Sequence, residues 1–161
     1  MHLNNKVYIH NKFNILMNEK RGLNAILIMS FIAVITSTYL LYLHYSDDSS
    51  FCDISEGISC DIVNRSLYSE IFGIPVSLLG LLTFFFIFIA TSSVLKRKRL
   101  FGLKKDEIFN IIYWLMVTSA VFALYLIYIE AFVLYAVCPL CVLLDIFILS
   151  TLIIIIKLRR E

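Results

Sequence analysis

PVSLLGLLTFFFIFIATSSVL, Pro75 to Leu95, carries no charged residue and ends directly on Lys96-Arg97-Lys98-Arg99. A helix of about 20 apolar residues crosses a hydrocarbon core of ~30 Å, at about 1.5 Å per residue. Three more runs of similar length share the chain with it: Leu23 to Leu43, Ile108 to Ile129 and Val137 to Ile156. Only the last holds a charged residue, Asp145. Unpaired backbone groups are costly in lipid, so runs this apolar are expected as helices. Buried helices of a soluble bundle would carry polar stripes, which these segments lack. The expected fold is an all-α membrane protein, a bundle of four transmembrane helices over 23–156 between a 1–22 tail and a 157–161 tail.

Composition agrees. Of 161 residues, 60% are hydrophobic and 16% charged, with a mean hydropathy of +0.87. A soluble domain carries about 25% charged residues. A net charge of +2 is too small to argue for nucleic acid as a partner. The first run exceeds the apolar stretch of a signal peptide and is followed by His44-Tyr45-Ser46-Asp47-Asp48 rather than a small-residue cleavage pattern, so it is expected to be retained.

Charge sets the expected orientation. Lys6, Lys12, Lys20 and Arg21 precede the first run; Lys96, Arg97, Lys98, Arg99, Lys104 and Lys105 lie between the second and third; Lys157, Arg159 and Arg160 end the chain. Thirteen of the fourteen Lys and Arg thus fall on one side of a four-span topology. The long loop 44–74 holds the other, Arg65, among Asp47, Asp48, Asp53, Glu56, Asp61 and Glu70. By the positive-inside rule both termini are cytoplasmic and that loop lies outside. Within it, Ile62, Leu67 and Ile71 recur at near-helical spacing, with Val63 close by. A short amphipathic helix over 61–72 is expected, capped by Ser59, favoured by Asp61 at its positive end and broken at Gly73, with Pro75 in the first turn of the next span.

All four cysteines fall on that outer side: Cys52 and Cys60 in the loop, Cys138 and Cys141 at the start of the fourth run. An oxidising compartment favours disulfides, and an even number on one face suggests pairs, although four cysteines allow three connectivities. Cys138-Pro139-Leu140-Cys141 places two sulfurs on one helix face, and the helix N-terminus favours a thiolate there. Such a dithiol suits redox cycling. Cys52 and Cys60 alone fit a plain structural staple; beside a helix-capping dithiol they fit an electron relay. A four-cysteine zinc site is disfavoured by the seven-residue spacing, and His2, His10 and His44 are scattered. A transporter would want discontinuous helices or internal symmetry, and neither is visible.

Cys60-Asp61-Ile62-Val63-Asn64-Arg65-Ser66-Leu67-Tyr68-Ser69, then Phe72-Gly73-Ile74-Pro75-Val76-Ser77-Leu78-Leu79-Gly80, resembles the vitamin K epoxide reductase family in its bacterial form. The Cys52/Cys60 spacing and the Cys138/Cys141 motif match the same pattern, and the resemblance spans about Leu23 to Ile156. The disulfide-bond formation protein B family is similar in outline but has the two kinds of pair in the reverse order.

The resemblance implies a quinone-dependent thiol oxidase of a bacterial inner membrane. Cys52 and Cys60 would exchange with a separate thioredoxin-fold (DsbA-like) thiol protein, since the chain ends at Glu161 without the thioredoxin-like domain fused to many bacterial members. Cys138 and Cys141 would reduce a quinone, ubiquinone or menaquinone, with Cys141 facing it. Ser66 and Phe72 would lie near the quinone. Asp145, one turn beyond Cys141, would handle protons or else pair with Asn110 or Tyr113. Alternatives are epoxide reduction of the vertebrate type and a non-enzymatic, disulfide-stapled membrane protein.

Overall fold

The computed structural model describes residues 2–46, 49–55, 57–96 and 102–160, with side chains from residue 19 onward. Asp47, Asp48, Glu56, Arg97, Lys98, Arg99 and Glu161, and the side chains of His2, Lys6, His10 and Lys12, lie outside the described residues.

Among the described residues, four helices are long and apolar enough to span a membrane: the 19–45 part of α1 (His2–Tyr45), α3 (Val76–Leu95), α4 (Lys105–Ile129) and α5 (Pro139–Arg160). The α4 span continues through a π turn, Glu130–Leu134, before the chain reverses into α5. The 1–22 segment read as a tail continues α1 in helical form from His2 onward. Intrahelical hydrogen bonds satisfy the backbone, which is what lipid demands.

Helix α1 packs chiefly on α3, and α4 on α5. Small residues are buried along α1, namely Ser30, Ala33 and Ser37, and a Cβ at Gly80 of α3 would sit 3.3 Å from Ser37 Oγ. Small residues let membrane helices approach where hydrophobicity offers no drive. The main apolar cluster, including Ile26, Phe84, Ile87, Ile112, Met116 and Ile155, occupies the half nearer the termini. An ion pair, Lys105 to Glu19, ties α4 to α1 there, and Arg159 lies over the Tyr113 ring at 4.5 Å.

At the opposite end the loop folds over the bundle. Its helix α2 (Cys60–Asn64) is capped as expected, with Ser59 Oγ accepting the Ile62 N–H at 3.1 Å. It is shorter than the 61–72 spacing suggests. Ser66 Oγ donates to the Val63 carbonyl at 2.8 Å, and Ser69 Oγ lies 2.7 Å from the carbonyls of Asn64 and Ser66. His44 Nδ1 also takes the Asn64 carbonyl, at 2.8 Å. With these acceptors taken, the helix stops. A single 3₁₀ turn (Leu67–Ser69) leads into a hairpin of β1 (Glu70–Ile71) and β2 (Ile74–Pro75), and Pro75 directly precedes α3.

Phe72 and Gly73 form the hairpin turn with φ of 53° and 78°, the two positive values that a type I′ turn requires. Arg65 reaches back to the end of α1, with Nε and Nη2 donating to the carbonyls of Leu43 and Ser46. The single Lys or Arg of the loop therefore sits at the negative end of a helix dipole. Ser59→Ala should destabilise the loop by about 1 kcal/mol, seen as a lower unfolding midpoint in detergent. An unchanged midpoint would mean the cap contributes nothing.

Candidate active site

The four cysteines form two bonded pairs, Cys52–Cys60 with Cα atoms 5.7 Å apart and Cys138–Cys141 with Cα atoms 5.2 Å apart. Cys52, Cys60 and Cys138 belong to one buried cluster with Leu40, Val63 and Ala136, against which Cys141, Leu134, Leu140 and Leu144 pack. What brings them together is backbone pairing between two segments far apart in sequence. Ile58 bridges to Val137, with the Val137 N–H donating to the Gly57 carbonyl (3.1 Å) and the Ser59 N–H to the Val137 carbonyl (3.2 Å). Cys60 follows one side of this bridge and Cys138 the other.

The loop pair is held from both sides. The Ser50 N–H donates to Asp61 Oδ2 at 2.9 Å, and Ser50 Oγ lies 3.5 Å from Cys52 Sγ. Cys52 and Cys60 are buried, while the flanking Phe51 and Ile54 are each 74% exposed.

Cys138 immediately precedes α5, and its sulfur occupies the capping position, 3.1 Å from the Cys141 N–H. The free N–H groups and dipole of a helix start stabilise negative charge on sulfur. Cys138 is fully buried, whereas Cys141 is partly exposed and lines a cavity of about 150 Å³ reached by all four membrane helices. An apolar cavity of roughly that size admits a single aromatic ring. Its walls are mainly apolar, including Leu40, Phe84, Phe122 and Ile148, with Asn64, Ser66, Ser77 and Asp145 among the polar residues.

Of the residues picked out from sequence, Cys141, Ser66 and Asp145 line this cavity. The Ser66 hydroxyl spends its proton on the Val63 carbonyl, so it faces the cavity as an acceptor. Phe72 does not line the cavity; it is fully exposed at the hairpin tip, because the turn it occupies points its side chain away from the bundle. Nor does Asp145 meet Asn110 or Tyr113. Helices α4 and α5 run antiparallel, Tyr113 lies level with Arg159, and Asn110 is exposed.

Asp145 instead shares the cavity with a second carboxyl, Glu130, which was not picked out from sequence. Glu130 is 6% exposed, and its Oε2 accepts the Cys138 N–H at 3.1 Å. Its sequence signal was its place directly after the third apolar run, eight residues before Cys138. Extending that run to Leu134 would have put a carboxylate within the span.

The model of one family, described as the vitamin K epoxide reductase family, matches residues 24–156. Among curated proteins none matches the chain.

Proposed function

Since the chain belongs to the vitamin K epoxide reductase family, whose chemistry is quinone-linked disulfide exchange in a membrane, we propose that it is a quinone-dependent thiol oxidase. One observation carries this reading: two cysteine pairs share a cluster, and only Cys141 among the four lines a ring-sized cavity. Cys52, at the loop edge beside exposed Phe51 and Ile54, takes electrons from the reduced thiols of a separate thioredoxin-fold protein. Cys60, beside the Ile58–Val137 bridge, passes them to Cys138. The electron pair leaves through Cys141 to a quinone of the bilayer, ubiquinone or menaquinone. Charge asymmetry supports placing the cysteine end outside the cytoplasm of a bacterial inner membrane.

The test is purified protein with a reduced thioredoxin-fold partner and a water-soluble quinone, followed by quinone absorbance. Loss of quinone that requires the partner's thiols supports the oxidase; no turnover with several quinones and partners overturns it. Burial of Cys52, Cys60 and Cys138 favours a second reading, in which the disulfides only staple the outer end. That reading predicts cysteines that stay oxidised whatever the quinone supply, as an alkylation assay would register.

Asp145 lines the cavity one helical turn beyond Cys141, and we assign it the exchange of protons with bound quinone. Asp145→Asn is expected to slow quinone reduction roughly 10²-fold while leaving thiol–disulfide exchange with the partner unchanged. Stopped-flow of each half-reaction separates the two, and an unchanged quinone step would discard the role.

A further inference from the structure

Glu130 is a buried carboxyl to which neither the family match nor the oxidase reading gives a task. It ties the turn between α4 and α5 at two points. Its carbonyl accepts the N–H groups of Tyr135 and Ala136, and its side chain accepts that of Cys138. The π turn that begins at Glu130 adds a residue where α4 ends, and π turns of this kind are frequent at functional sites.

Among the described residues, the titratable ones lining the cavity are Tyr68 from the loop, Glu130 from the π turn, and Cys141 and Asp145 from α5; α1, α2, α3 and α4 contribute none. Among the described residues, no Lys, Arg or His lines it. Behind the wall, His44 is engaged with the Asn64 carbonyl and with Glu70. A carboxyl facing an apolar cavity without a cation is costly to keep for structure alone. A backbone N–H could be satisfied there by a neutral amide at less cost.

We propose that Glu130 and Asp145 act as a carboxyl pair that carries protons from the cysteine thiols to quinone oxygens, Glu130 doing so while it holds the Cys138 amide in place. The proposal rests on the oxidase reading. As the Cys138–Cys141 bond forms, the two sulfurs lose two electrons and two protons. The electrons reduce the quinone, and the protons end on its two oxygens to give the hydroquinone. A carboxylate oxygen of the pair takes a proton from a thiol and releases it to a hydroquinone oxygen, so the pair returns to its starting state.

The test uses full-length protein, reduced at Cys138/Cys141 and mixed with a water-soluble benzoquinone in single turnover across a wide pH range. Glu130→Gln retains an acceptor for the Cys138 N–H, and Glu130→Asp retains a carboxyl. A rate lowered roughly 10²-fold in the Gln variant with the wild-type pH profile lost, but a profile retained in the Asp variant at unchanged thermal midpoints, supports the proposal. A Gln variant with wild-type rate and profile overturns it and leaves Glu130 a structural tie. Wild-type protein alone suffices if the Gln variant does not fold: a single-turnover rate indifferent to both pH and D₂O overturns the proposal. Wild type that reduces no quinone overturns the oxidase reading itself, and the proposal with it; an active wild type with a silent Gln substitution sinks only the proposal.

Discussion

Cys141→Ala is expected to reduce quinone turnover to the uncatalysed background, whether electrons come from a protein partner or from a small dithiol. Cys141 is the one sulfur among the four that lines the cavity, and the other three are buried in the cluster behind it. Alanine leaves the Cys141 N–H in place to cap Cys138 Sγ, so the start of α5 is not expected to unravel. The remaining Cys138 thiol lies beside the Ile58–Val137 bridge that leads to Cys60. It should therefore collect as a Cys60–Cys138 disulfide, with Cys52 left as a free thiol. Peptide mapping after alkylation reads that species directly. Turnover retained by the variant would place the quinone elsewhere, and the assignment of the cavity would fall with it.

Cys60→Ser should uncouple the two halves of the reaction. Partner-driven quinone loss is expected to drop to background, because Cys60 is the loop cysteine next to the α5 dithiol. Quinone loss driven by dithiothreitol should persist, since a small dithiol can reduce Cys138–Cys141 without the loop. Exchange of this kind requires a thiolate to reach a disulfide sulfur in line, which a serine hydroxyl cannot replace. The contrast with Cys141→Ala is the informative result: one variant loses both electron sources, the other only one. If Cys60→Ser kept partner-driven turnover, electrons would enter the α5 pair directly, and Cys52–Cys60 would revert to a staple.

Four membrane spans were legible in the residues because a bilayer imposes a length and an apolarity that local sequence cannot hide. Their ends were less so. Helix α4 begins at Lys105 rather than Ile108, and α1 runs back to His2, because charged residues at a membrane boundary continue a helix as readily as they end it. The Ser59 cap was readable for the same reason as the spans: its physics is contained within three residues. The length of α2 was not, because what stops it includes His44, twenty residues upstream of Asn64.

The two cysteine motifs, their shared end of the bundle and the intramembrane Asp145 follow from sequence alone, since spacing and topology are properties of one dimension. Pairing is not. Three connectivities were open in the sequence. The fold decides among them by setting the Cα atoms of Cys52 and Cys60 5.7 Å apart and those of Cys138 and Cys141 5.2 Å apart, while the Ile58–Val137 bridge, which leaves no periodic trace, sets the two pairs side by side. The same holds for the residues around the cavity. Phe72 carries the right chemistry for a ring stack, yet its positive φ turns it outward. Glu130 directly follows the third apolar run in sequence, yet the π turn brings it inward to the Cys138 amide. Direction of a side chain depends on backbone dihedrals and on neighbours supplied by the rest of the fold, so only the tertiary structure decided which carboxyls and which sulfur share the cavity.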